Sequence, residues 1–92
     1  MKFLFTPRFT RLYKKRLPEE QDDIDTAVSR LGRYLMEDER PLGLGVRHLR
    51  GKAWELRIGL KLRVIFSIAK DTATFLLIGN HDDVTTYIKS SL

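Results

Sequence analysis

The sequence predicts an α+β domain in which a helical hairpin covers one face of a β-sheet. Apolar residues recur with a helical period up to residue 35, whereas they alternate with a period of two between residues 46 and 78. The chain has 92 residues, too few to divide a hydrophobic core between two domains. We therefore expect a single domain over residues 1–92, with the order β-α-α-β-β-β and a short terminal helix.

Composition limits the partners and the chemistry. Seventeen Lys and Arg against twelve Asp and Glu give a net charge of +5, which favours nucleic acid, a membrane surface or an acidic protein. The absence of cysteine excludes disulfides, thiolate nucleophiles and cysteine-ligated metals. The amino terminus lacks the apolar region of a signal peptide, and no apolar run approaches the roughly 20 residues of a membrane span. We expect a soluble, cytoplasmic protein with no membrane partner.

The amino-terminal half carries the signals of a short strand at residues 3–5 and two antiparallel helices. Thr6 followed by Pro7 predicts a helix start, because Thr caps well and Pro lacks only an N–H that has no partner there. This helix is expected to end at Leu17-Pro18. Its apolar face comprises Phe9, Leu12, Tyr13 and Leu17, and its basic residues Arg11, Lys14, Lys15 and Arg16 lie mostly opposite.

The second helix starts with acidic residues that complement its dipole, Glu19, Glu20, Asp22 and Asp23. Its apolar stripe comprises Ile24, Ala27, Val28, Leu31 and Leu35. The polar residues 37–41 are expected to close the hairpin, and Gly43 and Gly45 mark a loop before the sheet.

The carboxyl-terminal half predicts strands at residues 46–49, 54–58, 62–68 and 72–78, with turns between them. Alternation puts Leu56 and Val64 on the core face, and it puts Glu55, Arg57 and Arg63 on the other face. Arg63 is expected to neighbour Arg57 across the hairpin, on an open face left for a partner. Asp82 or Asp83 can cap the terminal helix, whose apolar positions are Val84, Tyr87 and Ile88.

Basic residues interleaved with these strands form one candidate site. Such a patch can hold phosphates and stabilise charge that develops on phosphorus, although a solvated face that deters aggregation has the same composition. The residues are Arg47, Arg50, Lys52, Arg57, Lys61 and Arg63.

His81 is a candidate proton carrier, because it follows a strand end and Gly79-Asn80, where a ring can protrude. An exposed or helix-capping histidine is the alternative. His48 is a weaker candidate, and Tyr87 can either stack on a base or pack in the core. The two histidines are 33 positions apart and make no metal motif, so we expect neither a metal site nor a cofactor.

Four segments together resemble the RelE/ParE superfamily of bacterial toxins from type II toxin–antitoxin pairs, over nearly the whole chain. They are LRG at 49–51, WELRI at 54–58, LRVIFSI at 62–68, and LLIGNHDD at 76–83 followed by Tyr87. The resemblance implies a helical hairpin packed on a twisted, mainly antiparallel four-stranded sheet with a short carboxyl-terminal helix.

The resemblance also implies an activity. RelE-like members cut messenger RNA, mostly in the ribosomal A site and without a metal, by attack of the 2′-hydroxyl to give a 2′,3′-cyclic phosphate. Arg63 matches the arginine that faces the scissile phosphate, and His81 matches a histidine that several members use as general acid or base. The region where the family gathers cations and other groups contains Arg47, Arg50 and Arg57, and Tyr87 lies where some members keep a late aromatic. Lys61, from the basic patch, is a further candidate for binding the substrate.

We accordingly expect a metal-independent endoribonuclease whose partners are a cognate antitoxin, messenger RNA and the ribosome with its ribosomal RNA. Two alternatives remain. One is a ParE-like gyrase inhibitor without nuclease activity, in which His81 is structural. The other is a catalytically silent relative that binds RNA or the antitoxin.

Overall fold

The computed structural model describes residues 1–37 and 45–91. The elements are β1 (Lys2–Phe5), α1 (Pro7–Lys14), α2 (Pro18–Glu37), β2 (Val46–Arg50), β3 (Ala53–Ile58), β4 (Leu62–Ala69), β5 (Thr72–Gly79) and α3 (His81–Ser91). The predicted α+β class is confirmed. Most of the predicted hairpin closure, with Gly43, lies outside the described residues. Among the described helices, none is long and apolar enough to cross a membrane.

Within the described ranges the sheet has five strands, in the order β1-β5-β4-β3-β2, rather than the expected four. The predicted order counted one carboxyl-terminal strand too few, since four strands follow the two helices. The predicted first strand, β1, pairs in parallel with β5, whereas the other three pairings are antiparallel. The amide of Lys2 donates to the carbonyl of Asp71 at 2.7 Å, and that of Thr6 to the carbonyl of Phe75 at 3.1 Å. Stacking of Phe5 on Phe75, with ring centroids 5.0 Å apart, adds an apolar reason for this pairing.

A β-bulge interrupts the pairing of β4 with β5. Ile65 is opposite Leu77 and Phe66 is opposite Phe75, so Leu76 is an extra residue on β5. The bulge changes the alternation, and Phe75 and Ile78 both join the core although they are three positions apart. At the opposite edge of the sheet, the pairing of β2 with β3 has a second irregularity, between His48 and Arg50.

Helix α1 begins as predicted and ends early. Thr6 has extended backbone angles (φ −67°, ψ 157°), and its hydroxyl accepts a hydrogen bond from the amide of Phe9 at 3.1 Å. The helix ends at Lys14, and Leu17 is 66% exposed, so its predicted core position is wrong. The physical reason is Pro18 at the start of α2, because proline disfavours helical geometry in the residue before it.

The core lies between the two amino-terminal helices and one face of the sheet. Its buried side chains include Phe9 from α1, Ile24 and Leu31 from α2, and Leu56, Val64, Phe66 and Phe75 from the strands. This arrangement confirms the predicted apolar stripes apart from Leu17. Because side chains alternate along a strand, the residues next to Leu56 and Val64 point away from the helical hairpin.

Candidate functional site

The sheet face turned away from α1 and α2 carries a group of charged side chains. We call this surface, formed by Glu55 and Arg57 of β3 and by Arg63 and Ile65 of β4, the charged face. Arg57 and Arg63 are directly paired across the β3–β4 hairpin, as predicted. Glu55 is only 3% exposed and Ile65 is fully buried. The charged face is therefore not the fully open surface that strand alternation predicted.

Glu55 is the buried centre of the charged face. Nη1 of Arg63 donates to both carboxylate oxygens at 3.3 Å, and Nη2 of Arg47 lies 3.8 Å from Oε1. The Arg63 side chain is 14% exposed and that of Arg47 is 66% exposed. A buried carboxylate needs such partners, because leaving it unpaired away from water is costly. Glu55 consequently fixes the position of Arg63 far more than that of Arg47.

The neighbours of Arg63 leave the site with an excess of positive charge. Arg57 is opposite Arg63 on one side, and Gly79 of β5 is opposite it on the other. Two guanidinium groups, those of Arg47 and Arg63, thus contact a single carboxylate, and Arg57 adds a third cation at the strand position opposite Arg63. Like charges on directly opposite strand positions destabilise a sheet. This arrangement favours an anion bound at the charged face.

His81 is the first residue of α3 and is exposed. The side-chain oxygen of Asn80 accepts from the amide of Asp83 at 2.8 Å, and the Asp83 carboxylate accepts from the amide of Asn80 at 2.9 Å. Asn80 is therefore the helix cap, and the prediction of Asp82 or Asp83 as the cap is wrong. Asp83 is instead the third helical residue, which returns the hydrogen bond. Together these two hydrogen bonds fix the backbone position of His81 at the start of α3.

Lys61 and His81 line the same shallow pocket, of about 260 Å³, at the end of the β3–β4 hairpin. The remaining lining residues are Leu60, Asn80 and Asp82. Arg63 follows Lys61 by two positions and pairs with Gly79, two positions before His81. The structure therefore brings Lys61, Arg63 and His81 to one end of the central strands.

The other predicted site residues are more dispersed. Arg57 is exposed and lines a groove of about 430 Å³ with Asp23 and Arg30 of α2. Arg50 ends β2, opposite Ala53. Tyr87 is half-buried and lines a separate groove between α1 and α3. Arg47 is directly opposite Glu55 in the pairing of β2 with β3, so it lies at the edge of the charged face.

His48 has local partners. Its Nε2 lies 2.7 Å from the carbonyl oxygen of Gly51, and its ring packs at a tilt on Trp54, with centroids 4.8 Å apart. Gly51 has φ +55°, a left-handed conformation that suits glycine in a tight turn. His48 therefore contacts the β2–β3 turn that it precedes.

Glu55 is a residue of the candidate site that its sequence pattern does not reveal. Its face was predicted correctly, but a charged residue between Trp54 and Leu56 is usually solvated. A signal was present in the sequence: one acid among interleaved arginines on paired strands. What could not be read from it was the burial, which depends on how the strands and their surroundings assemble.

Comparisons with known proteins identify the fold. No family model and no curated protein matches the chain. A RelB–RelE antitoxin–toxin complex from Methanococcus jannaschii matches with a TM-score of 0.70 and 16% identity, over 91% of this chain and 96% of that chain. The chain has the fold of RelE. The RelE-type sheet therefore carries the charged face.

Two further solved structures have similar folds. A copper-bound mutant toxin from Helicobacter pylori matches with a TM-score of 0.64 and 16% identity, over 91% of this chain and 98% of that chain. The YoeB–YefM complex from Staphylococcus aureus matches with a TM-score of 0.64 and 14% identity, over 88% and 97% of the two chains. Almost the whole of each of these chains is therefore matched by this RelE-type fold.

Proposed function

We propose that the protein is the toxin of a toxin–antitoxin pair and that it cleaves messenger RNA. Its RelE-type fold, shared with toxins and with the RelE chain of an antitoxin–toxin complex, supports the toxin role. Its net charge of +5 suits an RNA substrate and an acidic antitoxin segment. Messenger RNA bound in the ribosomal A site is the proposed substrate, so the site of action is the cytoplasm.

The observation that carries the proposal is the anchoring of Arg63 by buried Glu55. Of the three nitrogens of the Arg63 guanidinium, only Nη1 donates to the Glu55 carboxylate, and Nε and Nη2 make no hydrogen bond to another described residue. A guanidinium held in this way binds a phosphate at a smaller cost in conformational entropy, because its long side chain is already ordered. Arg57, directly opposite, adds a second cation to the same phosphate.

The proposed chemistry is attack of the ribose 2′-oxygen on the adjacent phosphorus. The 2′-hydroxyl proton passes to a base, the bond from phosphorus to the 5′-oxygen breaks, and an acid protonates that oxygen. The products are a 2′,3′-cyclic phosphate and a free 5′-hydroxyl. His81 is the proposed proton carrier, because imidazole can both accept and donate a proton near neutral pH. Arg63 stabilises the negative charge that develops on the phosphate.

The remaining residues have proposed binding roles. Lys61 shares a pocket with His81 and adds positive charge where the leaving 5′-oxygen would lie. Arg47 and Arg50 on β2 would contact neighbouring phosphates, which position the RNA without reading its sequence. Tyr87 would stack on a base at the end of α3. A cognate antitoxin would neutralise the protein by covering the charged face with carboxylates.

Single-turnover cleavage of messenger RNA on programmed ribosomes, followed across pH, tests these roles. Arg63→Ala should lower the rate at every pH by on the order of a hundredfold, as expected for loss of one charge-stabilising donor. Arg63→Lys should recover only part of the rate, because a point charge replaces a planar fork. His81→Gln should remove one step of the pH profile. Lys89→Gln, an exposed change in the last turn of α3, is the matched control.

Two results would contradict the proposal. Wild-type rate and pH profile in His81→Gln would remove histidine from the mechanism. Intact messages together with gyrase-trapped DNA breaks after induction without antitoxin would replace the nuclease with a ParE-like gyrase inhibitor. Thermal melting of each variant separates a lost rate from a lost fold.

A further inference from the structure

Helix α1 carries a concentration of positive charge outside the candidate site. Five basic residues lie between positions 8 and 16, and no acidic residue occurs between Thr6 and Pro18. Arg8, Arg11, Lys14 and Lys15 are exposed, and no described carboxylate forms a salt bridge with them. Arg16 alone has such a partner, Glu20, at 3.6 Å. The outer side of α1 is therefore basic and largely unneutralised.

The stability of the helix explains only part of this charge, namely Arg11 and Lys14, which complement the helix dipole in the last turn. The other two helices begin with acids that complement the helix dipole, Glu19 and Glu20 in α2 and Asp82 and Asp83 in α3. Helix α1 has no acid in its first turn and has Arg8 there instead, where a cation is disfavoured. An exposed helix that served only as a solvated surface would gain from acids spaced four residues from its cations. Such acids are absent from α1.

Three of these cations share one side of the helix. At about 100° per residue, Arg8 and Arg11 of α1 and Lys15, which caps its carboxyl end with helical backbone angles, fall within about 60° of one another, and they span about 10 Å along the axis. We call these three residues the α1 cation row. Phe9 points away from the row and is buried against Phe75 in the core. The row is therefore presented to solvent by a firmly packed helix.

The α1 cation row and the charged face belong to opposite sides of the sheet. Helix α1 packs on the core face, to which Phe75 contributes, whereas Arg63 points away from that face. A phosphate held by Arg63 is thus on the far side of the strands from the row. Arg8 also lines the groove that contains Tyr87. An anion that spans Arg8, Arg11 and Lys15 is nevertheless a different segment from the phosphate held by Arg63.

We propose that the α1 cation row binds the phosphate backbone of an RNA segment other than the one that is cleaved. The choice of RNA rests on the proposed function. Phosphate contacts need exposed cations and no apolar anchor, which matches the row. A membrane-surface helix needs an outward apolar face, but Phe9 is buried and Leu12 and Tyr13 are half-buried against the core. Protein hot spots centre on Trp, Tyr and Arg anchors in well-packed, desolvated pockets, whereas the cations of the row are exposed on the outer side of α1.

The test compares two triple variants of equal charge. One is Arg8→Gln/Arg11→Gln/Lys15→Gln, and the control is Lys2→Gln/Arg33→Gln/Lys89→Gln at exposed positions elsewhere. Binding to a labelled, fully 2′-O-methylated RNA hairpin, which cannot be cleaved, is measured by fluorescence anisotropy at several salt concentrations. Each lost phosphate contact lowers the slope of log affinity against log salt by about one. We expect this slope to decrease by about two to three for the row variant and by less than one for the control.

The outcomes separate this inference from the proposed nuclease. Equal salt slopes for the two triple variants overturn the α1 cation row as an RNA surface, whether or not the wild type cleaves messages. A reduced slope in the row variant supports it even if the wild type proves unable to cleave. Loss of binding to anionic vesicles with unchanged RNA binding would also overturn it, in favour of a membrane surface. Thermal melting should show the row variant close to the wild type in stability, since the unfavourable Arg8 at the start of α1 offsets the favourable Arg11 and Lys15 at its end.

Discussion

Replacing Glu55 with Gln tests whether a buried carboxylate holds the guanidinium of Arg63. The change keeps the size of the side chain and removes its charge, which leaves Arg63 at 14% exposure without an anion. Removing one partner of a fully buried pair costs about 3–5 kcal/mol. The contacts to Nη1 are 3.3 Å, longer than the 2.7–2.9 Å of strong charge-assisted bonds, and Arg63 retains some access to water. We therefore expect a loss of about 2–3 kcal/mol in the free energy of unfolding.

Arg47 provides the matched comparison on the same carboxylate. Its side chain is 66% exposed and lies 3.8 Å from Glu55, so Arg47→Gln should cost less than about 1 kcal/mol. For a domain of this size about 1 kcal/mol corresponds to about 4–8 °C in Tm. Glu55→Gln should therefore lower Tm by about 10–20 °C and Arg47→Gln by less than about 8 °C.

Urea denaturation of Glu55→Gln, Arg63→Gln and the double variant measures the coupling between the two residues. If the pair is coupled, the double variant should lose less stability than the sum of the single variants, by about 1–2 kcal/mol. Additive losses, or a Glu55→Gln loss no larger than that of Arg47→Gln, would show that Glu55 does not hold Arg63.

Three further predictions concern the α3 junction and the helical hairpin. Asn80→Ala should destabilise the protein by about 1 kcal/mol through loss of the helix cap, seen as reduced hydrogen-exchange protection in α3. Gly79→Ala would bring a Cβ to 2.5 Å from the Cβ of Asp83, so it should cost about 1–3 kcal/mol in urea denaturation. The hydrogen bond from Tyr13 to Asp25 raises the pKa of Tyr13 above its ordinary 10.0. Its stabilising contribution is present below pH 10 and disappears as pH rises through that raised pKa; Tyr13→Phe should abolish this alkaline loss of unfolding free energy.

The structural features that depend on neighbouring residues, such as helix starts and strand faces, could be predicted from the sequence. Thr6 and Pro7 specify the start of α1 within one turn, and the alternation around Arg57 and Arg63 specifies a shared face and a hairpin register. The cap of α3 was assigned to the wrong residue because Asn80, Asp82 and Asp83 all have side chains suited to capping. Only the reciprocal hydrogen bonds in the structure distinguish them.

Pairing between distant strands and the burial of single residues could not be predicted from the sequence. The partner of β1 is more than 65 residues away, and a short apolar strand such as residues 3–5 carries no mark of which sheet edge it joins. The burial of Glu55 likewise depends on the assembled sheet and not on its local pattern. For the same reason the basic strand residues could be grouped by face but not by distance. The structure brings Lys61 and His81 into one pocket and leaves Tyr87 in another.

The bulge at Leu76 has a consequence for how strand length can evolve in this protein. Removing one residue from a regular strand reverses the orientation of every side chain beyond the deletion. Here Phe75 pairs with Phe66 and Leu77 with Ile65, so deletion of Leu76 would leave a regular ladder with the same partners on both sides. Arg63 would still be opposite Gly79, and α3 would still begin two residues later. Homologues one residue shorter at this point can therefore keep both the core and the strand-end residues in register.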